Sequence, residues 1–367
     1  MGPLQGIKIV EFSGIGPGPY CGMLLADLGA DVIRLSRKDS KGVSNKYDIH
    51  NRSKRTIVAD LKDSATKKEL LKLIEKIDVV FEGFRPGVME KLGLCPTECF
   101  KVNPKLVYGR MTGWGQDGQM SKQAGHDINY ISITGALNSF GRNDTNPQAP
   151  LNLIGDYGGG GMHLALGIVS ALLHANKTGE GQVVDSAMVD GTLSLMSFFY
   201  SLEKMGHWND SRESNFLDGF AHFYDTYECK DGKYIAIGSI EKNFYEELLE
   251  KLEITDEIFK DQFNKELWPK QKDIIKQRVL SKTRSQWEDI FKNSDACVTP
   301  VLSMQEAQNY SHNKQRSAFT NLDDFNQPSP SPRFSKSSLT IKHNAKEIGS
   351  DIDAICSEFD LDINKFI

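Results

Sequence analysis

The chain has 367 residues, 39% of them hydrophobic and 25% charged, a length that favours two domains because single cores stop growing at roughly 250–300 residues. No run approaches the ~18 unbroken apolar residues of a membrane span, and the net charge of -5 is spread without a long basic tract, which argues against nucleic acid as the main ligand. The six cysteines, at 21, 95, 99, 229, 297 and 356, lack the spacing of a disulfide scaffold, so reduced thiols in an intracellular protein are expected. Cys95 and Cys99 have no second Cys or His pair beside them, and no metal site is expected.

In chain order, Ile7 to Phe12 reads as a strand, "GPYCGMLLADLGA" as a helix stopped at Gly29, and "DVIRLS" as the next strand. "IVADL" at 57–61, "DVVFEGF" at 78–84 and "KLVYGRM" at 105–111 continue the strand series, with the amphipathic helix "KKELLKLIEKI" between two of them. This alternation predicts α/β units around a mostly parallel sheet. From Tyr157 a long apolar pattern predicts a buried helix opened by four glycines, and Met188 to Lys204 a second helix. Near 205 the texture turns polar and irregular, as in a linker. Beyond it, two β-rich runs flank a hairpin turn at Asp231-Gly232, followed by helices and the strand "ACVTPVL". "NQPSPSPRF" reads as a second linker, and the last thirty residues look helical and able to return to the first domain. The domain expectation is 1–205 completed by 325–367, a smaller domain at 220–320, and linkers near 205–220 and 321–334.

"SGIGPGPY" follows a strand and opens a helix as a dinucleotide fingerprint would. Pro19 stands where the third glycine belongs, and the second strand ends at Arg37 instead of an acidic residue. What remains is a tight turn feeding a helix N-terminus, which favours an anion nearby. Arg37, Arg55, Lys62 and Arg85 fall at or just after predicted strand ends, where a phosphorylated ligand would be held. Asp156 precedes four consecutive glycines, more than an N-cap requires; glycines of that kind permit close approach of another chain or a ligand. His126, in "AGHDINY", is by itself a loop histidine. With Asp156 and a polar partner such as Glu241 it becomes a candidate for proton transfer, although sequence alone does not bring the three together.

The motifs "GIGPGPYCGMLLADLGADVIRLSR", "TIVADLK", "EGFRPGVMEKLGL", "AGHDINYISITGAL", "PLNLIGDYGGGG", "GEGQVVDSAMVDG" and "DACVTPV" together resemble the racemase branch of the family III CoA-transferases (CaiB/BaiF), over about residues 5 to 335. The resemblance implies an α/β fold: a large Rossmann-like domain formed by both chain ends, a smaller α+β domain, and an interlocked homodimer whose site is shared between subunits. It implies a 2-methylacyl-CoA substrate whose (R) and (S) epimers are interconverted through an enolate, with His126 moving the proton on one face, Asp156 on the other, and Glu241 orienting the imidazole. No separate cofactor is implied, since coenzyme A is part of the substrate. The CoA contacts it implies are Arg37, Ala59, Asp60, Leu61, Lys62, Gly83, Phe84, Arg85, Lys91, Gly125, Asp127, Ile128, Asn129 and Tyr130. Position 91 departs from the bacterial pattern of arginine, keeping charge without the bidentate fork.

An adaptable acyl surface would suit Met89, Met188, Met196 and Met205, each of which would serve equally as core filler. Two rival readings stand beside this one. In a CoA-transferase of the same superfamily, Asp156 would attack the thioester as a nucleophile; the histidine of "AGHDINY" favours the racemase branch. A non-catalytic acyl-CoA-binding protein would keep the fold and lose the chemistry. The resemblance suggests mitochondrion, peroxisome or both, while "GIKIVEF" shows neither a signal-peptide core nor an Arg-rich transit segment and "INKFI" is no peroxisomal tripeptide.

Overall fold

The structure, a computed structural model, describes residues 1–43 and 45–366. These form two compact units: Met1–Thr134 with Pro150–Met196 and His312–Ile367, and Gly135–Ala149 with Ser197–Ser311.

The first unit is built on six parallel strands, β1 (Lys8–Phe12), β2 (Asp31–Arg37), β3 (Arg55–Ala59), β4 (Val79–Glu82), β5 (Val107–Thr112) and β6 (Gln182–Ala187), in the order β3-β2-β1-β4-β5-β6. The order reverses between β1 and β4, so the crevice at the carboxyl ends of those strands is where such a sheet takes a ligand. Helices cover both faces, which is why the strands are apolar on both. Val10, Phe12, Ile33 and Leu35 pack with Leu70, Leu73 and Ile74 of Ser64–Glu75 and with Ile352, Ile355 and Phe359 of Ile352–Phe359. Ile9, Val32 and Phe81 pack with Cys21 and Leu25 of Pro17–Asp27 and with Leu164, Ile168 and Leu172 of His163–Thr178. The C-terminal segment thus packs in the first core, although its helical content is one short α-helix, Ile352–Phe359, and a 3-10 turn, Ile363–Lys365.

The structure differs from the sequence expectation in several places, including the unexpected strand β6 and an antiparallel hairpin, Phe319–Leu322 with Phe325–Pro328, across the start of the expected linker. The helix expected from Tyr157 begins at Leu153 as ten residues of π-helix, Leu153–Met162, running into His163–Thr178. By length and composition this 26-residue run could cross a membrane; here Leu164, Ile168 and Leu172 bury it against the sheet. The helix expected from Met188 to Lys204 is two, Met188–Leu195 and Ser197–Lys204. Arg55 opens β3 instead of closing a strand, so it lies at the amino edge, paired with Asp31 and Glu358, away from the crevice.

The second unit has an antiparallel sheet, β7 (Tyr224–Glu228), β8 (Tyr234–Gly238) and β9 (Val298–Pro300), with Gly232 at φ 72° in the β7–β8 turn. Trp268, Trp287, Phe223, Tyr245 and Leu248 centre its core with the helices Lys242–Leu252, Trp268–Val279 and Arg284–Phe291. Residues 135–149 group here and not with the flanking chain, because Arg142 bonds Asp225 at 2.6 Å and Glu213 at 3.0 Å. The polar stretch after 205 is folded on itself: Asn215 is buried and bonds Asn209 and Asp218.

Candidate active site

A cavity of about 660 Å³ opens in the first unit at the carboxyl ends of β1, β4, β5 and β6. Its wall comes from the turns that follow those strands: Gly14–Gly18 after β1, Gly83–Pro86 after β4, Gly113 and Trp114 after β5, and Met188 after β6. Gly125, His126 and Tyr130, together with Asn152, Asp156 and Tyr157, also line it.

His126 is exposed and caps the helix Asp127–Ser132. Its N–H donates to Asn129 Oδ1 at 3.1 Å and its carbonyl accepts the N–H of Asn129 at 2.8 Å, so the backbone at this position is held by the helix it starts. Asp127 is buried, and its Oδ2 accepts the N–H of Asp156 at 2.7 Å. Through that bond, the segment carrying His126 is fastened to the segment carrying Asp156.

Asp156 sits within the first turn of the π-helix and not at an N-cap. It is only 9% exposed, and its Oδ2 accepts from Asn152 Nδ2 at 2.8 Å. Burial pushes its carboxyl above the ordinary carboxylate range; the Asn152 bond opposes this, Asp127 adds to it and His126 opposes it. The glycines that follow serve close packing, but the neighbours are helices of the same unit. A Cβ at Gly159 would lie 2.7 Å from Thr192 N, one at Gly160 2.9 Å from Met188 Cγ, and one at Gly161 2.7 Å from Tyr20 Cδ1. Gly16, at φ 66°, has Asp156 Oδ2 2.9 Å from where a Cβ would stand, so the turn after β1 touches the carboxylate because it lacks a side chain.

The residues expected at CoA divide by location. Gly83, Phe84, Arg85, Gly125 and Tyr130 line the cavity. Arg37 closes β2 in register with Ala59, which closes β3, and Asp60, Leu61 and Lys62 follow, so this group extends the same carboxyl edge beyond β1. Arg37, Asp60, Lys62 and Lys91 are exposed, as are Ile128 and Asn129. The Ala59 side chain is in the core. The Asp127 carboxylate is engaged with the π-helix, and Tyr130 gives its hydroxyl to the Gly125 carbonyl while its ring packs on Trp114 with centroids 4.8 Å apart. Of the four methionines, Met188 lines the cavity and Met89 is a core residue. Glu241 belongs to the second unit, exposed at the N-cap of Lys242–Leu252.

Trp114, Asn152 and Tyr157 line the cavity without having been expected there. Asn152 had a visible signal: it stands four residues before Asp156, within reach of it on helical spacing. Among the described residues no cluster of His, Cys, Asp or Glu could hold a metal ion.

Residues 4–351 match the family described as CoA-transferase family III. The chain is 44% identical to mouse α-methylacyl-CoA racemase, over 91% of this chain and 87% of that protein. It is equally 44% identical to the human protein of that name, over 90% and 86%. Among solved structures, a CaiB/BaiF family protein from Brucella suis superposes with a TM-score of 0.83 at 25% identity, covering 98% of this chain and 99% of that one.

Proposed function

We infer the activity from the premise that the chain belongs to CoA-transferase family III: it is an isomerase that interconverts the (R) and (S) epimers of 2-methylacyl-CoA thioesters. The α-hydrogen of such a thioester is far less acidic than any side chain, so the site has to stabilise the enolate as well as remove the proton. One base breaks the C2–H bond, the electron pair moves into the thioester carbonyl to give the enolate, and the acid on the opposite face returns a proton to C2. We assign Asp156 to one face and His126 to the other. The observation that carries this assignment is that both line one cavity and are fastened together through Asp127. Main-chain amides of the neighbouring turns hold the enolate oxygen in this reading. Glu241 of a second subunit orients the imidazole.

CoA lies along the carboxyl edge of the sheet, over Arg37, 59–62, 83–85 and Lys91, with Gly125–Tyr130 beneath the thioester. The reaction needs no cofactor beyond the CoA of the substrate; dialysis against a chelator that abolished activity would contradict this. A homodimer is supported by an apolar stripe, Met162, Leu166, Val169 and Leu173, exposed at helical spacing on one face. Sedimentation should then give twice the chain mass of 41.0 kDa, and a monomer would refute the assembly. We place the enzyme in mitochondria, peroxisomes or both, which fractionation showing it only in the cytosol would overturn.

Deuterium wash-in at C2, followed from each epimer in D₂O together with the epimer ratio, tests the activity. Exchange from both epimers converging on one mixture is expected. Transfer of CoA to an added free acid without exchange would make Asp156 a nucleophile, and CoA binding without either reaction would leave a binding protein.

The raised pKa of Asp156 predicts a pH effect with a definite sign. When Asp156 is the base it has to be ionised, so kcat/KM in that direction falls as pH drops through a pKa above the usual carboxylate value. Asn152→Ala removes a hydrogen bond that favours the charged form, so the acid limb should move to higher pH. In the reverse direction, where Asp156 delivers the proton, the alkaline limb should move the same way. Limbs that stay in place would show that Asn152 does not act on this carboxylate.

A further inference from the structure

The segment after β4 gives the cavity Gly83, Phe84, Arg85 and Pro86, and Arg85 itself is exposed. Beneath that turn lies a polar cluster with no part in proton transfer. Glu82, the last residue of β4, is 3% exposed. Its Oε2 accepts the N–H of Phe84 at 2.6 Å, and its Oε1 lies 3.5 Å from Nε of Arg110 on β5. Arg110 gives Nη1 to Gln116 at 2.9 Å and Nη2 to Glu90 of the helix Val88–Leu92, which also carries Lys91. One guanidinium therefore joins Glu82, which ends β4 and anchors the turn, to Gln116 and to the helix beyond the turn.

The charge balance is uneven. Glu82 feels Glu90 and Asp185 as well as Arg110, so three carboxylates crowd one cation behind a turn that lines the cavity. The Tyr108 ring, 5.7 Å from the guanidinium, closes the cluster from within β5. Burial pushes the Glu82 carboxyl up to about 7, opposed by the Phe84 N–H and Arg110, so its charge near neutrality depends on both contacts.

We propose that Arg110 and Glu82 are positioning residues for CoA: they hold the Gly83–Arg85 turn so that Arg85 meets an anionic group of the CoA moiety, and Arg110 screens that group from the three carboxylates. The proposal rests on the reading above only in taking CoA as the ligand. It goes beyond the residues that touch CoA to those that aim them.

The test is calorimetric titration of the full-length protein with CoA itself, alongside kcat and KM for C2 exchange and a thermal melt. Arg110→Gln should weaken CoA binding roughly tenfold, the scale of one charge-assisted contact. KM for acyl-CoA should follow while kcat stays within about twofold, because the pair does not touch the reacting carbon. Glu82→Gln keeps an acceptor for the Phe84 N–H and removes a charge, so the double variant Arg110→Gln/Glu82→Gln should recover much of the lost CoA affinity; the change in KM without a matching change in kcat, at an unchanged melt, is what a merely structural role would not give. Arg110→Lys, which keeps the charge and loses the fork, should fall between wild type and Arg110→Gln, and it serves if Arg110→Gln does not fold. An Arg110 variant that melts like wild type and binds CoA unchanged overturns the proposal, as does a double variant no better than the single one. If the wild-type protein fails to exchange C2, the activity reading fails, yet the CoA titrations still decide this pair.

Discussion

Asp156→Asn should lower net inversion of a 2-methylacyl-CoA by a factor of about 10²–10⁴, the usual worth of one positioned acid–base group. The amide is nearly the size of the carboxylate, so the contacts to Asn152 and Gly16 change little in shape, but it can neither take nor deliver the C2 proton. The epimer whose proton faces His126 should still wash in deuterium slowly, because that base and the site that stabilises the enolate are intact. Chiral separation of product from each epimer, read together with deuterium content, distinguishes the outcomes. Inversion at the wild-type rate would sink the two-base scheme. Loss of exchange from both epimers would mean that the carboxylate is needed before either proton moves.

Lys54→Met should lower stability by about 3–5 kcal/mol. Lys54 and Glu11 are both fully buried, with Nζ 2.5 Å from Oε2, and Nζ also reaches the Pro19 carbonyl at 3.0 Å and Asn51 Oδ1 at 3.3 Å. Burial drives the Glu11 carboxyl up and the Lys54 ammonium down, and each partner opposes the shift of the other. Removing the cation leaves the Glu11 carboxyl in the core without its partner, with Oε1 already unpartnered. The double variant Glu11→Met/Lys54→Met should regain most of the loss, since an apolar pair of similar volume costs no desolvation. Urea unfolding at unchanged slope measures both; a single variant within about 1 kcal/mol of wild type would refute the argument.

That pair also shows where reading the chain stops. "IVEF" identifies β1 correctly, because three apolar residues surround one charge. Nothing in the string says that Glu11 faces inward, or that its partner lies 43 residues later, just before β3. β1 to β5 are visible as apolar runs, within a residue or three of their ends. β6 is not, because Gln182–Ala187 is an edge strand, mostly exposed along its first four residues, and carries too little apolar signal. Arg55 was placed at the wrong end of its strand because charge at a strand boundary does not declare which boundary. His126 and Asp156 were legible as chemistry by residue type and motif, but the bond between their segments runs through Asp127, which had been expected at CoA. Asn152 and Trp114 became visible only once the turns had been folded onto one crevice.

The π-wound segment around Asp156 has a further consequence for how this site can change. Behind the carboxylate, glycines 159–161 lie against Thr192, Met188, Pro17 and Tyr20 with no room for a single added carbon, so substitution on that side is penalised whatever the chemistry. In front of it, Asn152, Tyr157 and His126 are half-exposed or exposed, so a change there disturbs less packing than one among the glycines. Reactivity at Asp156 is therefore adjustable from one direction. A lineage, or an engineer, moving this scaffold between proton transfer and acyl capture would rewrite the residues that look at the carboxylate and inherit its backbone unaltered.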